Sequence, residues 1–421
     1  MNDMATAPAD TVMRTVDGTP LKVSLRRAMR RRKLAALGLV MPLFVFILFS
    51  FILPIADMLF RSVENPQVVT IMPETTAALQ GWDGNEVPDE AVFAALVADL
   101  VAGSESREIG KVATRLNYEI SGMRGLIMKS ARRADRLEAP YREALIDLDK
   151  DWNDISVWKL IQREGAPFTA SYYLSAIDMR YDDSGEIAAQ PTDRQIYVTL
   201  FLRTLWISLL ITFMTLLLGF PVAYLLATLP LKYSNLLMIM VLLPFWTSLL
   251  VRTTSWIAML QQQGVLNDLL VWSGLVSDDG RLELMHNQTG TVVAMTHILL
   301  PFMVLPLYSV MRTISPSFMR AAQSLGAPRF LAFWRVYAPL TLPGVGAGAI
   351  LVFILAIGYY ITPALVGGTS GQLISNFIAY HMQSSLNWGL AAALGSILLS
   401  CVLLLYYIYN RIVGIENMKL G

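Results

Sequence analysis

Arg320-Ala321-Ala322-Gln323-Ser324-Leu325-Gly326-Ala327, followed nine residues after the glycine by Val336-Tyr337-Ala338-Pro339, is a polar hinge between two long apolar stretches. Ser315-Pro316 ahead of it favours a helix start, because proline is tolerated in a first turn. Phe318–Leu325 then reads as a short helix. Gly326 permits a reversal that a side chain would strain, and a second helix from Pro328 leads to Pro339 and Pro343. Such a helix–Gly–helix element on the cytoplasmic side of a membrane offers a soluble partner something to grip. Composition alone does not separate it from an ordinary basic loop.

The apolar stretches on either side set the fold class. The chain has 421 residues, 55% hydrophobic and only 15% charged, with a mean hydropathy of +0.50; soluble domains carry about 25% charge. A spanning helix needs roughly 20 apolar residues. Six segments qualify: 34–60, 198–229, 236–260, 291–313, 341–365 and 389–412. The expectation is an all-α polytopic membrane protein with six transmembrane helices.

Basic residues in short loops mark the cytoplasmic side. Arg26, Arg27, Arg30, Arg31, Arg32 and Lys33 precede the first span, which reads as a retained helix rather than a cleaved signal. Lys232 follows span two, and Arg312, Arg320, Arg329 and Arg335 surround the loop after span four. The opposite loops are poor in base: 261–290 holds only Arg281, and 366–388 holds neither Lys nor Arg. Both termini, 1–33 and 414–421, are therefore expected to be cytoplasmic.

Residues 61–197 then lie outside, with 15 Lys and Arg against 23 Asp and Glu, a net of −8. Ile109, Val112, Leu116, Ile120, Met123 and Ile127 recur at steps of three or four, the apolar face of an amphipathic helix. Tyr141–Trp152 resumes the pattern after Pro140, whereas 61–90, broken by Pro66, Pro73, Pro88, Gly81 and Gly84, reads as irregular. The insert is expected to be a small helical cap with its own core.

Chemistry is sparse. The single cysteine, Cys401, lies in an apolar run and excludes an internal disulfide and a cysteine metal site. No Gly-x-x-x-x-Gly-Lys-Ser/Thr loop is present to cradle phosphates. No catalytic residue, metal ligand or cofactor of this chain is expected, and a net charge of +1 gives no reason to expect nucleic acid. Asp57, Arg203 and Arg252 fall toward the external ends of spans one to three, where ionisable groups are costly. Arg252 lies deepest and reads as an ion pair or gate; arginine suits a carboxylate better than a cation. His297 reads as a packed histidine. Trp246, Trp256, Tyr308, Tyr359 and Tyr360 could line a path for an amine through cation–π contact, although most such aromatics are core. Gly344, Gly346 and Gly348 allow close helix approach, either to a second subunit or within this one.

The hinge resembles the Glu-Ala-Ala loop of the inner-membrane permease subunits of ABC importers. Arg320-Ala321-Ala322, Gly326 and Pro339 stand at that family's spacing, with Arg320 in place of the first Glu and Ala338 in place of a Leu. The spermidine/putrescine-type branch, which extends to opine-like solutes, is resembled more closely. That resemblance rests on Leu218-Gly219-Phe220-Pro221-Val222-Ala223-Tyr224, Leu243-Pro244-Phe245-Trp246-Thr247-Ser248-Leu249-Leu250-Val251-Arg252-Thr253, Leu300-Pro301-Phe302-Met303-Val304-Leu305-Pro306-Leu307-Tyr308 and Thr362-Pro363-Ala364-Leu365-Val366-Gly367-Gly368. These motifs cover most of 198–413; the insert lies outside them.

The resemblance implies a type I importer permease fold in a bacterial inner membrane, with 198–413 as a five-helix core. It implies a coupling loop at 314–340 that docks in an ATPase through Arg320, Ala321, Ala322, Gln323, Gly326, Arg329, Arg335 and Pro339. Implied partners are two ABC ATPase subunits, which hold the ATP and Mg, a second and non-identical permease, a periplasmic solute-binding protein and the bilayer. The solute would be small and cationic or amino-containing, and the insert a collar for the binding protein. The rivals are an autonomous ion-coupled carrier or channel, for which mid-membrane acids are lacking, and a sensor, for which no cytoplasmic output domain exists.

Overall fold

A computed structural model describes residues 21–182 and 185–413; the first twenty residues and the 414–421 tail lie outside the described residues. Packing divides the chain into a unit ending at Phe60 and one beginning at Arg61. The first holds α1 (Leu21–Ile47), a π-helical turn (Leu48–Ile52) and α2, which runs to Arg61 (Leu53–Arg61). The apolar run Arg32–Arg61 is 30 residues, about 45 Å at 1.5 Å per residue, ample for a hydrocarbon core of about 30 Å.

The insert is helical as expected, but more finely divided. Pro66 and Pro73 open α3 (Pro66–Ile71) and α4 (Pro73–Leu79), so prolines taken as signs of irregular chain are first-turn residues instead. After α5 (Glu90–Glu105), the expected continuous helix over 109–127 is two: α6 (Ile109–Glu119) and α7 (Met123–Ala131). Gly122, at φ +101°, makes the break, and the apolar face continues across it, since Ile109, Val112, Leu116, Met123 and Ile127 are all buried. Tyr141–Trp152 likewise divides into α8 (Tyr141–Leu148) and a short 3-10 turn. These close with α9 (Ile155–Glu164) over one core centred on Phe93, Leu96, Leu116, Trp152 and Trp158. A two-stranded antiparallel hairpin, β1 (Met179–Tyr181) and β2 (Ile187–Ala189), follows α10 (Ser171–Ala176) and was not expected.

The membrane core begins with α11 (Tyr197–Thr228). α12 (Leu231–Leu242) and α13 (Leu249–Leu260) correct the expected single span 236–260: the chain bends by 100° between Leu231–Trp246 and Leu249–Trp272. Pro244 opens a 3-10 turn, Thr247 goes extended, and the Ser248 hydroxyl accepts from Val251 N at 3.2 Å to cap the new helix. Among the described residues five helices are long and apolar enough to cross a bilayer; a sixth crossing requires counting this bent pair as one span.

After α14 (Val265–Trp272) comes α15 (Gln288–Thr313), the central helix, packed on both α11 and the fifth span. That span also departs from expectation. Rather than opening near 341 it runs unbroken as Arg329–Gly358, through α17 (Arg329–Ala332), a π turn (Phe333–Tyr337) and α18 (Ala338–Gly358), with α16 (Pro316–Ser324) preceding it. Both π turns end two residues before a proline, Pro54 or Pro339. Widening the helix there accommodates a residue that has no N–H to donate and whose ring crowds the preceding turn. Three short helices, α19 (Ile361–Val366), α20 (Gly368–Gly371) and α21 (Ile374–Gln383), lead to the last span, α22 (Trp388–Val413).

The glycines of α18 pack inside the chain. A Cβ at Gly348 would lie 2.7 Å from Met303 Sδ, one at Gly344 3.0 Å from Val310, and one at Gly346 2.4 Å from the Tyr409 hydroxyl. Gly219 of α11 meets Met303 from the other side at 3.1 Å. Met303 is thus clasped between two glycine-bearing helices, which removes the second-subunit alternative for Gly344 and Gly348.

Candidate functional site

The hinge is a short helix closed by a glycine. Ser315 caps α16, its hydroxyl accepting from Ser317 N at 3.3 Å. At the far end Gly326 N donates to Gln323 O at 2.9 Å and Ala327 N to Ala322 O at 3.1 Å. That pair of bonds is a Schellman closure, which needs a left-handed residue at its turn; Gly326 supplies it at φ +89°. The fold therefore holds Arg320, Ala321 and Gln323 exposed on one stiff turn, with Ala322 half-buried beneath. Arg329, Arg335 and Pro339 are exposed on the helix that follows.

Sequence reasoning singled out polar groups here and missed the apolar ones. Leu325 is 89% exposed and Phe330 75%, with Phe318 and Trp334 also exposed. Their signal is present: a reversal that leaves α16 and α17 side by side cannot bury residues next to the turn. The patch sits among the cations Arg320, Arg329 and Arg335. Apolar anchors within a charged rim are what a protein interface offers.

The pathway candidates divide. Arg252 and Trp256 lie on α13; Trp256 Nε1 donates to His297 Nδ1 on α15 at 3.2 Å, with the rings edge to face at 5.3 Å. Arg252 donates through Nη2 to Thr247 O at 3.0 Å and is close enough to act electrostatically on His297 and Tyr359. Its Nε is buried without a partner among the described residues. Trp256 and His297 therefore pair across α13 and α15, with Arg252 one turn before Trp256 on α13. Tyr308 is not part of this group: eleven residues beyond His297, it lies about 16 Å further along α15, against the helix core. Trp246 is 75% exposed on the 3-10 turn. Tyr360 is exposed at the start of α19, its carbonyl accepting from Asn376 Nδ2. Arg203 is held by Thr369 O at 2.8 Å.

Where the insert meets the core stands a second polar assembly, which no spacing in the sequence marks. Arg115 is buried among Asn65 Oδ1 (2.8 Å), Glu119 Oε1 (2.8 Å) and Glu164, which also accepts from Asn65 Nδ2 and Ser171 Oγ at 3.0 Å. Burial pulls the Arg115 guanidinium down, but the facing charges outweigh it and hold it above its ordinary value. Its guanidinium lies 4.7 Å from the centre of the Tyr172 ring. Burial pushes the Tyr172 phenol up to about 12, against the pull of Arg115.

From this assembly tyrosines reach the core. Tyr172 covers Gly389, where a Cβ would come within 2.3 Å of the ring. Tyr173 Oη bonds Ser62 Oγ and Ser396 Oγ at 2.9 and 2.8 Å. Tyr118 Oη donates to Ser385 O at 2.8 Å. Asp178, at φ +59°, accepts from the backbone N–H groups of Ile196, Tyr197 and Val198 and so clamps the start of α11. His381 joins Tyr197 Oη and Ser385 Oγ, each at 2.8 Å.

Clasped long apolar helices, a bent pair at the third span and an exposed turn with apolar anchors are the architecture of a multi-pass helical membrane protein. The chain belongs to the family described as "Binding-protein-dependent transport system inner membrane component", whose model matches residues 193–414. The "Spermidine/putrescine transport system permease protein PotB" of Escherichia coli (strain K12) is 34% identical over 222 residues, 52% of this chain and 80% of that one. The protein of the same description from Haemophilus influenzae is 32% identical over 250 residues, 57% of this chain and 87% of that one. Among solved structures, a chain of a bacterial alginate ABC transporter in complex with alginate pentasaccharide-bound periplasmic protein aligns with a TM-score of 0.42 and 19% identity, over 53% of this chain and 80% of that one. This chain is thus a transport subunit of an ABC importer in the inner membrane. It works with an ATPase, a second permease and a periplasmic binding protein; hydrolysis belongs to the ATPase.

Proposed function

We propose that the chain passes a small amino-containing solute, of polyamine type, from a periplasmic binding protein to the cytoplasm. In this reading both termini and the 314–340 loop face the cytoplasm, and residues 61–197 form a periplasmic collar that the binding protein touches. The exposed turn docks in one of two ATPase subunits, which hold ATP and Mg, and a non-identical second permease completes the pathway. The single observation that carries the coupling role is the Gly326 closure, which presents Leu325 and Phe330 to solvent beside Arg320 and Arg329.

The polyamine assignment is supported by the relatives' descriptions. Residues 195–267 and 284–415 hold no Asp or Glu, so carboxylate pairing in the spans of the 198–413 core would not select a polycation. Selection would then fall mostly to the binding protein, with aromatic faces along the way. One observation favours a second reading within the same class. Arg252, a cation on α13 within a stretch, 195–267, that holds no Asp or Glu, suits a solute that carries a carboxylate as well as an amine.

Uptake separates the two. A strain lacking this chain is complemented and given labelled spermidine, putrescine or a carboxylated amine. Restored polyamine uptake upholds the first reading; uptake of the carboxylated amine alone upholds the second; uptake by the purified chain without ATP overturns both.

A further inference from the structure

Behind the exposed turn lies a cavity of about 710 Å³, which shares Gln323 and Arg329 with the proposed docking element. Its walls come from the cytoplasmic ends of α11 (Tyr224) and α15 (Arg312), from α16 (Ser315, Gln323) and from the next helix (Arg329, Tyr337). Two arginines face one space, and no lining residue is acidic. Nor does the nearby chain hold a carboxylate, since 195–267 and 284–415 contain neither Asp nor Glu. Arg312 makes one neutral contact, through Nη1 to Ala227 O at 3.3 Å.

The second observation is independent of charge. Tyr337 is 6% exposed, and its hydroxyl is sealed from solvent with no partner among the described residues. Its ring is fixed by Phe333, stacked at 5.6 Å, and Tyr224, edge-on at 5.4 Å. A buried hydroxyl without a partner costs about 1–3 kcal/mol, and the residue that carries this one lines the same cavity as Arg312 and Arg329, where a small shift of the ring would let it donate to an anion.

We propose that this cavity binds a phosphate group, with Arg312 and Arg329 as its counter-charges and the Tyr337 hydroxyl and Ser315 as neutral donors. Phosphate fits better than a single carboxylate: two arginines line the cavity, and phosphate offers enough oxygens to take the neutral donors as well. Its source is either the headgroup of an anionic phospholipid of the inner leaflet or a soluble phosphate of the cytoplasm. Bound there, it ties Arg312, on a membrane helix, to Arg329, beyond the turn. The coupling loop would then move with the spans rather than separately from them.

The test uses the full chain with its partner subunits. The complex is exchanged into nanodiscs of phosphatidylcholine alone or with phosphatidylglycerol, and retained lipid is read by native mass spectrometry. In parallel, labelled inorganic phosphate is titrated by equilibrium dialysis. Wild type should hold one additional phosphatidylglycerol, or one additional phosphate, relative to Arg312→Gln/Arg329→Gln, which should bind about tenfold more weakly or worse. Tyr337→Phe keeps the stacked ring and should weaken binding severalfold. Retention of lipid identifies the membrane source, and saturation by inorganic phosphate the soluble one. Equal retention of both probes by wild type and the double variant overturns the proposal. Loss in the double variant with Tyr337→Phe unchanged overturns the part given to the hydroxyl. Because binding is read without transport, failure here is distinct from failure of the docking reading.

Discussion

Replacing Gly326 tests the coupling loop quantitatively. Nothing lies within 4 Å of a Cβ built at this position, so Gly326→Ala meets no clash inside the chain. What it meets is the φ of +89°, and an L-residue held in the left-handed region costs about 1–2 kcal/mol. In the free chain the loop escapes that cost by abandoning the Schellman turn, which splays Leu325 away from Arg320. Docking must then restore the turn, so affinity for the ATPase falls by the same 1–2 kcal/mol, about 5- to 30-fold. Asparagine visits the left-handed region with less strain, so Gly326→Asn should recover most of the loss. The assay is binding of the purified ATPase to detergent-solubilised permease, followed by binding-protein-stimulated hydrolysis in liposomes. Unchanged affinity in Gly326→Ala would refute the turn as the docking element. An equal loss in Gly326→Asn would show that the partner's surface, not the backbone, excludes the side chain.

Leu325→Ala with Phe330→Ala should abolish ATPase capture while leaving the melting temperature of the permease unchanged, since both side chains are exposed; a lowered melting temperature would place them in the core instead. Arg115→Met removes one of the two guanidiniums that pair with buried Glu164, the other being Arg163, whose Nε donates at 3.0 Å, and should destabilise the insert by about 1.5–3 kcal/mol, read as faster trypsin cleavage of intact spheroplasts. The double variant Arg115→Met/Glu164→Leu should recover much of this, and a double no better than the single would contradict the pairing. Burial lowers the His381 pKa from its ordinary 6.5. The unfolded chain then takes up the proton first, so this contribution is fully present above pH 6.5 and is lost as pH falls from 6.5 toward the lowered value. Melting between pH 5 and 7.5 should show that loss in wild type and less of it in His381→Gln. Gly348→Val should lower the yield of folded protein by overpacking Met303, at about 1–3 kcal/mol, measured by monodispersity in detergent.

The sequence disclosed what hydropathy and backbone chemistry control. Apolar runs located the long helices because length and hydrophobicity alone qualify them, and Gly326 was legible because only a reversal needs a glycine between two helix patterns. The breaks were less legible. Pro244 lies within the expected span 236–260, yet the chain bends by 100° there, because bend size depends on which neighbouring groups satisfy the freed backbone, and those are distant in sequence. The expected span 341–365 opens past Pro339, yet the helix runs through that proline on a π turn. Among candidate site residues, those acting through local geometry were found. Those made by long-range approach were not: Arg115 and Glu164 stand 49 residues apart, and Tyr118 and Ser385 stand 267 apart.

The same physics explains why the solute is the least legible property of this chain. A pathway that must bind and release cannot hold its cargo tightly, and residues 195–267 and 284–415 hold no carboxylate to grip an amine. What discrimination these spans add to that of the binding protein falls to groups such as Arg252, whose Nη2 donates to the Thr247 carbonyl at 3.0 Å. If the solute carries a carboxylate, Arg252→Lys keeps the charge but loses the planar fork, and uptake should fall while polyamine uptake is spared. If the solute is a pure polycation, removing this charge as Arg252→Gln relieves repulsion and uptake should rise. Opposite signs from one position decide the substrate class by initial rates of labelled-solute uptake. No effect of either substitution would remove Arg252 from the pathway.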